Sequence, residues 1–183
     1  SLHAIDRQKE LLASSLGYSS TSDINYGISK VKFLEPVMAL PDNYVVFVQN
    51  ASWPTKQWPI DCWKELVKHF NDCGVNVLLP SGNKEELLRA KEIASVSEKA
   101  TALEILPLNE VAYIIDNADY CICSDTGLAH LSAVVNTPSL TLYGPTDINL
   151  IGTKGNNQIH IVGDNGDINN ISVEEVFNKL PIV

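Results

Sequence analysis

From residue 44 onward, short apolar runs alternate with stretches of about ten residues that carry their apolar side chains at helical spacing. That alternation constrains the fold more than any other feature. The runs fall at 44–49, 75–80, 102–106, 120–124, 139–143 and 158–162. Between them, 61–72 places Trp63, Leu66, Val67 and Phe70 on one helix face, and Gly74 ends it. Further helices are expected at 84–94, 110–117, 127–135 and 173–180, the last opened by a capping box of Ser172 and Glu175. Such βαβ units build a parallel sheet, and near-continuous apolar strands mean that both faces of it are covered. The expected fold is a doubly wound α/β domain. In that architecture ligands lie outside the carboxyl ends of the strands. Function is therefore expected just after Gln49, Pro80, Leu106, Ser124 and Tyr143.

The first 43 residues read differently. Residues 4–16 suit an amphipathic helix, with Ile5, Leu12 and Leu16 on one stripe and Gly17 as its stop. Residues 19–43 are rich in Ser, Asp, Asn, Gly and Pro and read as a linker, with one strand candidate near 30–34. The division expected is a connecting helix at 1–18, a linker at 19–43 and a ligand-binding domain at 44–183. The chain begins at Ser1 without a Met and shows no secretory signal, which suggests a fragment or a processed piece of a longer protein. With 45% apolar residues in 183, it can build a substantial core. A net charge of -9 argues against a nucleic-acid partner and against electrostatic docking on anionic lipid. No apolar run approaches the roughly 20 residues of a membrane-spanning helix.

Four cysteines add little. Cys121 and Cys123 share a strand face, Cys62 and Cys73 bracket a helix, and no Cys/His spacing suits a metal. They read as reduced, buried thiols of a cytosolic protein.

The chemistry gathers at the strand ends. After Ser124, the segment Asp125-Thr126-Gly127-Leu128-Ala129-His130 opens a helix. A helix N-terminus offers unpaired N–H groups and partial positive charge to an anion. The plain alternative is that Asp125 or Thr126 caps the helix and His130 fills the core. After Gln49, a loop holds Ser52 and the lone cation Lys56, which together suit a diphosphate. Otherwise it is an exposed loop whose Trp residues pack on the domain edge. After Pro80, Glu86 can accept ribose hydroxyls, or form a capping-box-like pair with Asn83. After Tyr143, Gly144-Pro145-Thr146-Asp147 reads as a turn. No P-loop, dinucleotide fingerprint, nucleophile elbow or metal-ligand cluster is present. Phosphate-binding chemistry at several strand ends of one sheet points to a nucleotide-sugar site.

Ser124-Asp125-Thr126-Gly127-Leu128-Ala129-His130-Leu131-Ser132-Ala133 resembles the signature of the ADP-heptose:lipopolysaccharide heptosyltransferases, GT-B glycosyltransferase family 9. Thr55-Lys56-Gln57-Trp58-Pro59 followed by Trp63 resembles that family's T-K-x-W-P stretch. Tyr143-Gly144-Pro145-Thr146-Asp147 with Gly155-Asn156-Asn157-Gln158, and the leading His3-Ala4-Ile5-Asp6-Arg7, look like its heptosyltransferase I branch. The resemblance implies two Rossmann-like domains facing a cleft, of which this chain is the C-terminal, donor-binding one. It implies that Ser52 and Lys56 meet the donor diphosphate, Glu86 the ribose and the Leu106 backbone the adenine. It places Thr126 and Gly127 N–H groups on phosphate, Asp125 on the heptose, and His130 in support of the loop. Asp125 and Lys56 are the residues nearest to a catalytic role. The family's proposed base, an Asp of the N-terminal domain, is not in this chain, so the isolated chain is not expected to turn over. Ala51 stands where a hydroxyl residue would add a phosphate contact.

The implied donor is ADP-heptose, with no metal cofactor. The implied acceptor is Kdo on lipid A, reached through the N-terminal domain at the cytoplasmic face of the inner membrane. Other readings are a heptosyltransferase II-like or UDP-sugar-using GT-B donor domain, and a non-catalytic nucleotide-binding module.

Overall fold

In the computed structural model, residues 2–21, 24–28 and 33–181 are described. Six parallel strands form one sheet in the order β3-β2-β1-β4-β5-β6. They are β1 (Tyr44–Val48), β2 (Asn76–Leu79), β3 (Ala100–Ala102), β4 (Tyr120–Ser124), β5 (Ser139–Tyr143) and β6 (Gln158–Val162). The order reverses between β1 and β4, which pair through Val45–Tyr120 to Val48–Cys123. This is the Rossmann strand order, and that reversal is its topological switch point.

Alternate residues of β1 feed two cores, as the pleat requires. Val45 and Phe47 face α2 (Ile60–Asp72), α3 (Lys84–Ala94) and α7 (Val173–Asn178). Tyr44, Val46 and Val48 face α4 (Leu108–Asp116), α5 (Gly127–Val134) and, from the preceding segment, Phe33, Met38 and Leu40. The first core is centred on aromatic rings: Trp63 lies 5.2 Å from both Phe47 and Trp58, and Phe70 lies 5.5 Å from Phe47. These edge-on and tilted contacts add to the area they bury.

The helices and strands fall close to their expected places, with four differences. The third strand spans Ala100–Ala102, not 102–106. Its partner β2 ends at Leu79, so after the Leu103 N–H donates to the Leu79 carbonyl at 2.9 Å, residues 104–106 have no strand to pair with. The short helix α6 (Ile148–Ile151) and 3-10 turns at Pro54–Lys56, Asp164–Gly166 and Ile168–Asn170 were not foreseen. The Ser172 hydroxyl accepts from the Glu175 N–H at 3.1 Å as expected, but α7 stops at Asn178. Of the strand candidate at 30–34, residues 30–32 lie outside the described residues, and Phe33 and Leu34 are not in a strand.

The leading helix, α1, spans Ala4–Leu16 and ends at Gly17 with φ 71°. Its expected apolar stripe is not covered: Leu12 and Leu16 are exposed and Ile5 is half-buried. The helix is instead tied by its first turns. A His3 ring nitrogen lies 2.9 Å from the Gly152 carbonyl, and the Lys154 ammonium lies 2.6 Å from the Asp6 carboxylate. The cysteines are all free thiols, but only Cys121 and Cys123 are buried; Cys73 is exposed and Cys62 half-buried. Cys73 is the C-cap residue at which α2 ends, and Gly74 follows it with a positive φ of 84°.

Candidate functional site

The site lies at the switch point, where the segments leaving β1, β4 and β5 converge. The β1 segment is anchored from below. Trp58 is fully buried, and its indole N–H donates to the Ile171 carbonyl at 2.9 Å. The expectation that these Trp residues pack on the edge therefore holds for neither: Trp58 is core, and Trp53 is 63% exposed. Upstream of this anchor, Pro54 starts a single 3-10 turn that ends at Lys56. The Gln57 amide closes the loop by donating to the Ala51 carbonyl at 2.8 Å.

That turn delivers Lys56 to Asp125. The ammonium sits 2.7 Å from Asp125 Oδ2 and 5.3 Å from the Trp53 ring centre. Asp125 is only 8% exposed. The Thr146 hydroxyl, arriving from the segment after β5, donates to the same Oδ2 at 2.5 Å. Gly144 permits this convergence, since a Cβ there would stand 2.5 Å from the Thr55 carbonyl.

Beside Asp125, α5 starts with Thr126 in extended conformation, and the Thr126 side chain makes no cap hydrogen bond. The capping alternative is thus not realised by Thr126. Gly127, the first residue of α5, is exposed, and a helix N-terminus leaves N–H groups without intrahelical partners, although the Ala129 N–H already donates to the Thr126 carbonyl at 3.0 Å. Nothing lies within 4 Å of where a Gly127 Cβ would be, so the space above this helix end is open. An anion placed there would meet both the helix terminus and Lys56.

His130 lies one turn into α5, half-buried. Burial pulls its pKa below the usual value, an effect opposed by Asp125 and reinforced by His3 and Lys56. The neutral imidazole is the form favoured at neutral pH.

On the far side of the β1 segment, a cavity of about 70 Å³ is bounded by Ser52, Ser81, Glu86 and Thr126. The Ser81 hydroxyl is buried without a hydrogen-bond partner among the described residues, which leaves it for a ligand or water. Glu86 forms the capping-box-like arrangement anticipated with Asn83: the Asn83 side chain accepts from the Glu86 N–H at 2.9 Å, and its amide donates to Glu86 Oε1 at 2.9 Å. Glu86 Oε2 also accepts from the Gly82 N–H at 2.7 Å. The carboxylate is held in place at the cavity wall by these contacts.

Ser52, Lys56, Glu86, Asp125, Thr126, Gly127 and His130 are thus gathered around one edge of the sheet. Leu106 is not among them. It lines a different, apolar cavity of about 480 Å³ with Pro36, Met38 and Leu103, beyond the end of β3. Two residues were missed from sequence. In the sequence Thr146 reads only as part of a turn. Arg89 borders a cavity of about 400 Å³ with Ser52 and Glu86, and its guanidinium donates to the Trp58 carbonyl at 2.6 Å. Its spacing of three from Glu86 on α3 was the available signal. Among the described residues, no three His, Cys, Asp or Glu side chains gather as a metal-binding group. No helix among them is long and apolar enough to cross a membrane.

The family model for glycosyltransferase family 9 (heptosyltransferase) matches residues 1–180. Lipopolysaccharide heptosyltransferase 1 of Salmonella typhimurium is 37% identical over 179 residues, 97% of this chain and 56% of that protein. Among solved structures, the E. coli heptosyltransferase WaaC with ADP superposes with a TM-score of 0.87 at 35% identity, over 96% of this chain and 55% of that one. WaaC with ADP-2-deoxy-2-fluoro heptose gives 0.84 at 32% identity, over 97% and 55%. The chain spans about half the length of the relatives it matches.

Proposed function

The chain belongs to glycosyltransferase family 9, the heptosyltransferases, and from that premise we propose that it is the donor-binding half of an enzyme transferring heptose from ADP-heptose to the Kdo of a lipid A inner core. The observation that carries this reading is the juxtaposition of Lys56, Asp125 and the open N-terminus of α5 at the switch point of the sheet. A diphosphate resting on the α5 terminus draws the Lys56 ammonium from Asp125 and is held by it. Ser52 adds a hydroxyl from the same loop. Glu86 and Ser81, on the other side of Ser52, present an acceptor and a donor to the ribose. Asp125 is left facing the sugar. The solved relatives with ADP and with an ADP-heptose analogue support the choice of nucleotide.

In the transfer, an acceptor hydroxyl attacks the anomeric carbon as the bond from that carbon to the β-phosphate oxygen breaks. ADP leaves with the electron pair. Charge therefore grows on the diphosphate in the transition state, where a preorganised cation and helix terminus stabilise it. In this reading those groups, rather than a metal ion, meet that charge. The base that takes the acceptor proton belongs to the companion domain, and the complete enzyme works at the cytoplasmic face of the inner membrane. A thermal-shift panel tests the donor assignment, since a ligand of the native state alone must raise the melting temperature. ADP and ADP-heptose are expected to raise it, and UDP and UDP-sugars to do so weakly. A larger rise with UDP, or none with any nucleotide, overturns the reading.

A further inference from the structure

Asp125 is approached from two sides. Lys56 reaches it from the β1 segment and Thr146 from the segment after β5, and both contacts fall on Oδ2. The two partners differ in what a donor would do to them. Lys56 is the cation a diphosphate would recruit. Thr146 carries no charge and is fixed by its own turn. Behind it, Gly144 stands hard against the Thr55 carbonyl. Ahead of it, the Asp147 side chain caps α6 by accepting from the Asn149 N–H at 3.0 Å. A diphosphate that draws Lys56 away leaves Asp125 mostly buried beside a second anion, and the Thr146 hydroxyl is then the donor that remains on its Oδ2. A hydrogen bond to a carboxylate is stronger than one between neutral groups, and it pins the carboxylate rotor.

We propose that Thr146 is a positioning residue that keeps Asp125 aimed at the sugar of the nucleotide-sugar once Lys56 has turned to the diphosphate. The proposal rests on the donor reading above. It separates two ligands that share a nucleotide. ADP needs Lys56 and the helix terminus and is indifferent to the direction of Asp125. ADP-heptose needs that direction as well.

The test is calorimetric titration of the wild-type chain, Thr146→Val and Thr146→Ser with ADP and with ADP-heptose. Valine keeps the branched shape and removes the hydroxyl; serine restores the hydroxyl. Thr146 is half-exposed, so neither change burdens the core, and a melting curve of each variant checks this. The expected result is that Thr146→Val leaves ADP affinity unchanged and weakens ADP-heptose about tenfold, as the loss of a hydrogen bond to a charged group allows. Thr146→Ser regains most of that loss. Equal weakening of both ligands in Thr146→Val marks a merely structural role and overturns the proposal, as does unaltered ADP-heptose affinity. If the wild-type chain binds neither ligand, the donor reading fails and takes this proposal with it. Binding of both ligands to the wild-type chain with no effect of valine overturns the proposal alone.

Discussion

Lys56 and Asp125, sixty-nine positions apart in the chain, meet at 2.7 Å across the gap between the ends of β1 and β4. The two side chains form an ion pair. On the proposed reading it opens when a diphosphate offers Lys56 a better partner, and Asp125 competes with that step.

Removing the competitor has a defined consequence. Asp125→Asn frees Lys56 and takes away a buried negative charge beside the helix terminus. ADP affinity is expected to rise about threefold, in the range of a partly exposed ion pair. Affinity for ADP-heptose is expected to fall, because the sugar loses its carboxylate. Titration of both ligands measures the divergence.

The pH response of stability is set partly by His130 and His160, whose pKa values are both pulled down by burial. For a histidine with a depressed folded pKa, the unfolded chain binds the proton more readily. Stability is therefore full above about pH 6.5, the unfolded value, and is lost as pH falls below it. His130→Gln is expected to flatten the fall in melting temperature between neutral pH and pH 5, relative to wild type. A steeper fall in the variant contradicts the assigned direction.

Trp58 joins the core to the Lys56 loop. Trp58→Phe keeps an aromatic ring but leaves the Ile171 carbonyl without its donor and opens space beside Trp63. A cost of about 2–3 kcal/mol is expected in urea denaturation. ADP affinity should fall with it, since the loop position depends on this anchor.

Two glycines separate fold from binding. At Gly144 a methyl group would press on a backbone carbonyl, that of Thr55, so Gly144→Ala is expected to destabilise the chain by about 1–3 kcal/mol. At Gly127 a methyl group would meet no other atom of the chain within 4 Å. Gly127→Ala should leave the melting temperature unchanged and still weaken ADP binding, because the added carbon occupies the approach to the helix terminus.

The strand ends that carry chemistry could be located in the sequence because period and turn residues mark where each βα unit turns. That places Asp125, Thr126, Gly127 and Lys56 at strand ends, while their roles come only from the resemblance to the heptosyltransferase family. The Lys56–Asp125 contact does not, since it depends on β1 and β4 being neighbours, and strand order is a tertiary outcome. Thr146 and Arg89 were invisible for the same reason: each acts on a group supplied by another element, Asp125 for one and the Trp58 carbonyl for the other. The third strand was misplaced because Leu103 and Leu106 suggest a buried run, whereas its register is set by where β2 ends. The stripe on α1 exists as a pattern, yet Leu12 and Leu16 stay exposed. Periodicity names a face without naming what covers it.

On the proposed reading, Lys56 and the open end of α5 together hold a nucleotide diphosphate. Calorimetric titration of ADP against the wild-type chain and Lys56→Gln tests it most directly. Binding to the wild-type chain is expected, with a loss of about tenfold or more in the variant, the worth of one charge-assisted contact to phosphate. Equal affinity for the two proteins, with both fully folded, would contradict it.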